Sequence, residues 1–294
     1  MKKIGFIGVG IMGKSMVKNL MKAGFELHIY ARTKSKVEDV IGEGAQFHES
    51  IKDCVQDCDA VITIVGFPQD VEEVYFDEGN ILDSAKEGAY LIDMTTTSPQ
   101  IAEKIYEEGT KRGFHVMDAP VTGGDTGAKA GTLSILVGGE KEDYEACMPL
   151  FEAMGTNINY QGKAGCGQHC KLANQIMIAG TLSGVCEALT YAKEQGLDLE
   201  VFMKSVATGA AGSKQLDTFG PKILKDDYAP GFFMKHFIKD MKLALIEANR
   251  KGLSLDVLSM VLANYEELEQ EGYGDLGTQA LMKFYDEEHR NTEE

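Results

Sequence analysis

Over the first half of the chain, short apolar runs alternate with longer amphipathic stretches. Residues 4–7, 26–30, 60–65, 89–92 and 115–117 are rich in apolar, β-branched and aromatic side chains, the pattern of buried strands. Between them, residues 14–23, 34–43 and 98–112 carry apolar positions at helical spacing. Strands separated by helices predict βαβ units, hence a parallel sheet covered by helices on both faces. A hairpin-like tail is expected next, from residues 133–137 and 158–161.

The pattern changes at Gly165. No strand pattern follows, and residues 165–194 read as one helix of roughly 45 Å at 1.5 Å per residue. Helices over 240–251 and 256–271 are each stopped by a glycine, Gly252 and Gly272, and a last one starts at Thr278. The expected architecture is therefore α/β: a doubly wound domain over residues 1–163, then an all-helical domain over 164–294, joined by the long helix.

Composition narrows the function classes. The 46 acidic residues outnumber the 29 basic ones, for a formal charge of −17 without any basic block, which argues against a nucleic-acid partner. The apolar run of the long helix contains Asn174, Gln175 and Glu187, costly in lipid, so a buried helix is expected rather than a membrane span. Glycines interrupt the apolar start of the chain, which does not read as a secretory signal. Six scattered cysteines in 294 residues look like reduced thiols of a cytoplasmic protein.

Candidate chemistry starts at Gly8-Val9-Gly10-Ile11-Met12-Gly13, a GxGxxG match placed between a predicted strand and a predicted helix. In a Rossmann-type domain Gly8 permits the tight turn, Gly10 lets the backbone approach a pyrophosphate and Gly13 lets helix and strand pack closely. The N–H groups opening the helix, those of Ile11 and Met12 among them, then face the phosphates. Where the second strand ends, a carboxylate would select a free ribose 2′-hydroxyl. The chain has Ala31-Arg32-Thr33-Lys34 there instead, and Arg32 with Thr33 suits a 2′-phosphate, so NADP is expected ahead of NAD.

The stretch GCGQHCKLANQ (165–175) offers two polar clusters on one helix face. Cys166, His169 and Cys170 have ligand-like spacing, but no fourth ligand is evident, and no metal site is expected. Lys171 and Asn174, one turn apart, could instead carry acid–base chemistry. An ammonium aimed at a carbonyl oxygen stabilises the alkoxide formed by hydride transfer and donates its proton. Burial would lower the lysine pKa toward the neutral form needed in the oxidative direction.

Five ordered stretches, GVGIMGKSMVKNL (8–20), DMTTTSP (93–99), DAPVTGG (118–124), GCGQHCKLANQ and the Lys239-Asp240 pair, together resemble the β-hydroxyacid dehydrogenases. That group includes 3-hydroxyisobutyrate dehydrogenase, tartronate semialdehyde reductase and the glyoxylate/succinic semialdehyde reductases. The resemblance runs along essentially the whole chain. It implies that Lys171 is the catalytic lysine and that Asn174 helps hold substrate. It also implies that Thr122, Gly123 and Gly124 cradle the substrate carboxylate. Thr96 would lie near the nicotinamide, Val65 would line the cofactor site, and Lys239 would close over the cofactor from the helical domain. Thr122 stands where the family usually has serine, which keeps the hydroxyl but narrows the pocket by a methyl.

Four arginines occur (32, 112, 250 and 290), none of them between Gly113 and Asn249. Backbone N–H groups, hydroxyls and lysine would therefore hold the substrate carboxylate. That favours a small 3-hydroxy acid, or a 2- or 4-hydroxy acid, or the matching semialdehyde. A non-catalytic dinucleotide-binding scaffold is the alternative, and the intact Lys171 argues against it. So long an apolar helix is also expected to pack against a second chain, in a homodimer or homotetramer.

Overall fold

Side-chain alternation along six parallel strands organises the first unit of the chain, Met1–Lys171. These are β1 (Lys3–Ile7), β2 (Glu26–Tyr30), β3 (Gln46–His48), β4 (Ala60–Thr63), β5 (Tyr90–Asp93) and β6 (His115–Asp118), paired in the order β3-β2-β1-β4-β5-β6. The order reverses beside β1, which leaves a crevice at the carboxyl ends of the strands where such sheets bind ligands. Three more strands extend the sheet: β7 (Val121–Thr122), β8 (Leu133–Gly139) and β9 (Gly155–Gly162). The structure is a computed structural model that describes residues 1–285, so Arg290 lies outside the described residues.

Successive strand residues point to opposite faces. Ile4, Phe6, Ile62, Ile92 and Met117 join one core, packed with Met16, Val17 and Leu20 of α1 (Ile11–Lys22). Ile7, Val61, Leu91 and Val116 join the other. That second core takes in residues of α3 (Ile51–Val55), α4 (Pro68–Phe76) and α6 (Pro99–Lys111). The remaining helices of the unit are short: α2 (Glu38–Gly42), α5 (Ile81–Ser84), α7 (Gly124–Ala130), α8 (Lys141–Ala146) and α9 (Met148–Met154).

Two local expectations for this unit are corrected. Residues 133–137 and 158–161 do not form a hairpin: β9 runs parallel to β8, because α8 and α9 intervene and carry the chain back across the sheet. The antiparallel partners of β8 are β6 and β7. The helix expected over 34–43 is broken into a single 3₁₀ turn, Lys34–Lys36, and the short α2, with Val37 buried between them.

The second unit begins at Leu172, inside α10 (Cys166–Glu194). It contains α11 (Leu199–Ala207), α12 (Lys214–Ile223), α13 (Met234–Arg250) and α14 (Asp256–Gln270). Leu182, Val185, Cys186 and Leu189 of α10 share its core with Phe237 and Met241 of α13 and Val261 and Tyr265 of α14. The closing segment Thr278–Tyr285 is 3₁₀ rather than α-helical, and Tyr265 Oη donates to the Thr278 carbonyl at 2.7 Å. By length and composition α10 could cross a membrane. Its apolar positions are instead split between this core and an exposed face.

Candidate active site

The turn from β1 into α1 has the shape that dinucleotide phosphates require. Gly8 has φ +97°, and a Cβ there would lie 2.1 Å from the Ile64 carbonyl oxygen; a Cβ on Gly13 would lie 2.1 Å from the Gly8 oxygen. Both positions therefore demand glycine for the fold itself. Gly10 differs: a Cβ there would meet nothing within 4 Å. Its glycine leaves open space beside the start of α1, where no side chain caps the helix and no acid occupies the first turn. Ile11 and Met12 contribute backbone there, with the Ile11 side chain exposed. These residues fit a bound pyrophosphate.

Arg32 and Thr33 follow β2 and are exposed. Arg32 Nη1 lies 3.2 Å from Asp70 Oδ1 on α4, while Asp70 Oδ2 accepts the Phe67 N–H at 2.9 Å.

A buried polar network closes the ends of β4 and β5. Asp93 Oδ1 accepts Thr63 Oγ1 at 2.8 Å and the Thr95 N–H at 3.1 Å, and Thr63 also meets Tyr75 Oη at 3.1 Å. Burial raises the Asp93 carboxyl to about 6 against these bonds, with the nearby Asp118 charge adding to the rise. Thr95 Oγ1 accepts the Val65 N–H at 3.0 Å, which ties the loop after β4 to this network. Thr96 is half-buried between two buried threonines.

The neighbouring strand end fixes the start of α10. Asp118, cross-strand partner of Asp93, accepts the Gly165 N–H on Oδ1 and the Gln168 N–H on Oδ2, both at 2.8 Å. A carboxylate so placed satisfies N–H groups of the first turn and complements the helix dipole. Burial still pushes its pKa upward. Gly165 has φ +84°, and a Cβ on Gly167 would sit 2.4 Å from the Leu136 carbonyl oxygen, so the helix begins hard against the sheet. Lys171 follows Gln168 by one turn and is only 7 % exposed. Gly123 and Gly124, at φ +130° and +64°, shape the turn after β7, where Thr122 ends the strand half-buried.

In the second unit, Asn174 Nδ2 donates to Gln175 Oε1 at 2.8 Å, and Gln175 Nε2 donates to Asp240 Oδ2 at 2.7 Å. Asp240 is fully buried, with Lys239 Nζ 3.0 Å from its other oxygen. The two residues expected to act from this unit thus meet at Asp240, Lys239 by an ion pair and Asn174 by hydrogen bonds through Gln175.

His169 is exposed and Cys166 and Cys170 are half-buried, and burial raises the Cys170 thiol. Among the described residues no group of three His, Cys, Asp or Glu converges on a metal position. All six cysteines are free thiols. Reading the sequence did not assign roles to Asp93, Asp118, Gln168 or Gln175. All four stand in the quoted motifs, two of them on the long helix, but their partners lie up to 73 residues away.

Comparison with known proteins matches both units. The model of the NAD binding domain of 6-phosphogluconate dehydrogenase covers residues 3–162, and that of NADP-dependent 3-hydroxyisobutyrate dehydrogenase covers residues 165–285. The chain belongs to the 3-hydroxyisobutyrate dehydrogenase family. It is 50 % identical to the uncharacterized oxidoreductase YkwC of Bacillus subtilis, over 97 % of this chain and 99 % of that one. It is 45 % identical to the probable 3-hydroxyisobutyrate dehydrogenase-like 1 protein of Arabidopsis thaliana, over 95 % of this chain and 84 % of that one. The solved 3-hydroxyisobutyrate dehydrogenase of Mycobacterium tuberculosis, with L-serine, superposes at TM-score 0.87 and 26 % identity, covering 96 % of this chain and 98 % of that one. Members of this family are NAD(P)-dependent oxidoreductases acting on hydroxy acids and semialdehydes.

Proposed function

We propose that the protein reduces small semialdehydes of carboxylic acids to the hydroxy acids, and runs the reverse oxidation, with NADP preferred over NAD. The observation that carries the reading is Lys171, buried one turn into a helix whose start is clamped to the ends of β5 and β6. Gly8, Gly10 and Gly13 with the Ile11 and Met12 backbone would hold the pyrophosphate, Arg32 and Thr33 the 2′-phosphate, and Val65 and Thr96 the nicotinamide end. From the helical unit, Lys239 is assigned to the cofactor and Asn174 to the substrate. When bound, the nicotinamide supplies or accepts the hydride.

The chain's own residues do the rest. Thr122 with the Gly123 and Gly124 backbone orients the substrate carboxylate, which fixes the distance from that group to the reacting carbon. Lys171 holds a proton on Nζ and gives it to the oxygen that gains charge as the carbonyl is reduced; in the oxidative direction the neutral amine takes it back. Burial of the lysine excludes water from that transfer.

The acidic surface, with its −17 charge, supports a protein with no nucleic-acid partner, and the free thiols support a cytoplasmic one. The apolar stripe exposed on α10 supports a homodimer or homotetramer, and Asn174, Gln175 and Glu187 in that helix support one with no membrane contact. A spectrophotometric panel tests the reading: NADPH oxidation with the semialdehydes of methylmalonate, malonate, succinate and tartronate, and with glyoxylate. At least one should turn over with kcat near the ordinary enzymatic range of ~1–10³ s⁻¹. No turnover across the panel, with NADPH still bound, would favour the scaffold alternative.

A further inference from the structure

Gln168 is fully buried, and its amide is used at both ends. Its Oε1 accepts the Thr97 N–H at 3.0 Å, and its Nε2 donates to the Thr95 carbonyl at 2.7 Å. One planar side chain thereby mimics a peptide group and grips the backbone on both sides of Thr96. Its own N–H is held by Asp118 Oδ2 at 2.8 Å, so the first turn of α10 is tied to the end of β6 as well. Thr95 is fixed further by its N–H bond to Asp93 and by its hydroxyl bond from Val65.

We infer that Gln168 is a positioning residue that sets the distance between the Thr96 segment, which faces the nicotinamide, and Lys171, three residues along the same helix. The inference rests on the proposed roles of Thr96 and Lys171. Hydride transfer and proton transfer must meet on one substrate carbonyl, and a shift of about 1 Å between the groups delivering them costs on the order of 10²-fold in rate. A single amide bonded to both neighbours of Thr96 suppresses that shift. The position needs one donor and one acceptor in a plane, a condition that a leucine of similar size fails entirely and that a carboxylate fails on the donor side.

The donor requirement gives a test that general packing would not pass. In Gln168→Glu the neutral carboxylic acid reproduces the amide, its O–H donating to the Thr95 carbonyl and its C=O accepting from Thr97. The ionised form has no donor and sets a negative charge against that carbonyl. Burial raises the pKa of such a carboxyl toward the neutral range. The kcat of Gln168→Glu, relative to the unmodified protein at each pH, should therefore recover to within about threefold near pH 5.5. Near pH 8 it should fall by at least about tenfold, while NADPH affinity read by nucleotide fluorescence changes less than about threefold. Gln168→Leu should be slow at every pH.

A pH-independent ratio for Gln168→Glu, or a loss confined to NADPH affinity, would overturn the inference. Hydrogen exchange on the unmodified, ligand-free protein gives a readout that no variant's folding can obscure. The Thr97 amide should exchange at the slow rate of the strand core, and exchange at the rate of an open loop would also overturn it. Lys171→Ala, assayed alongside, separates the two levels. If it keeps near-normal turnover, the lysine reading falls and this inference with it; if it is inactive while the Gln168→Glu ratio is flat, only the role of Gln168 is lost.

Discussion

Arg32 and Asp70 form an ion pair across the carboxyl end of β1, because Arg32 follows β2, Asp70 opens α4 after β4, and β1 lies between those strands. Arg32 is 72 % exposed, and exposed pairs of this kind contribute about 1 kcal/mol or less. The guanidinium can therefore leave Asp70 for a ribose 2′-phosphate at small cost. Arg32→Asp should abolish or reverse a preference for NADPH over NADH in kcat/KM. Losing a charge-assisted bond of this type costs about 1.5–3 kcal/mol, one to two powers of ten. Asp70→Asn, which releases Arg32, should strengthen the preference. Equal use of both cofactors by the unmodified protein would show that Arg32 serves Asp70 alone.

Asp93 predicts a pH-dependent stability. Its folded pKa, raised to about 6 by burial, exceeds its ordinary value of 3.8, so between those values the folded state holds a proton that the unfolded state has lost. Stability from this group is therefore full below about pH 4, falls as pH rises through about 6, and stays low above. Full ionisation of so buried a carboxyl costs on the order of 3 kcal/mol. The Tm of Asp93→Asn minus that of the unmodified protein should increase from pH 4 to pH 7.5, as differential scanning calorimetry would read. A difference independent of pH would mean that Asp93 stays ionised throughout.

A third expectation concerns α10. Met177, Thr181, Gly184, Ala188 and Tyr191 recur at steps of four and three residues on its exposed side, with Met177 74 % and Tyr191 68 % exposed. That spacing makes an uncharged seam of the kind helices use to pair. A Cβ on Gly184 would meet nothing within 4 Å, so Gly184→Glu adds a charge to the seam without disturbing the protomer's own packing. Light scattering at micromolar concentration should give a dimer or tetramer for the unmodified protein and a smaller species for Gly184→Glu. A monomeric unmodified protein would remove this reading.

Much of this molecule can be read from its residues in order. The strand Glu26–Tyr30 coincides with its apolar run, and the glycines at 8, 10 and 13 mark the turn from β1 into α1. The long helix starts at Cys166, just after the glycine whose positive φ requires it. What local pattern does not carry is strand direction and distant pairing. Residues 133–137 and 158–161 look like a hairpin because each alternates like a strand, while the crossover through α8 and α9 that makes β8 and β9 parallel is only weakly periodic. In the candidate site, Lys171 stands out because an ammonium can carry a proton, and Asn174 because it follows one turn later. Gln168 and Asp118 do not, since their importance lies in contacts with residues 47 to 73 positions away.

Asp240 is the part of the helical unit most exposed to mutation. It is fully buried with the Lys239 ammonium on one oxygen and the Gln175 amide on the other. Asp240→Ala removes the ion-pair partner of Lys239 and one acceptor of Gln175, and removing one partner of a buried pair costs about 3–5 kcal/mol. Urea denaturation should show a loss of that size. Asp240→Asn, which keeps one acceptor oxygen, should lose less. Equal losses in the two variants would mean that the charge, not the hydrogen bonding, holds the chain of residues together.

The turnover of Lys171→Ala tests the central claim most directly. The lysine is buried one turn into the clamped helix and is assigned the proton that completes carbonyl reduction. Losing a positioned acid of this kind lowers the rate by ~10²–10⁴-fold. With the semialdehyde that the unmodified protein reduces fastest, Lys171→Ala should lose at least ~10² in kcat while its affinity for NADPH, measured by fluorescence, stays within about threefold. Near-normal turnover in that variant would contradict the assignment of Lys171 as the acid of the reaction.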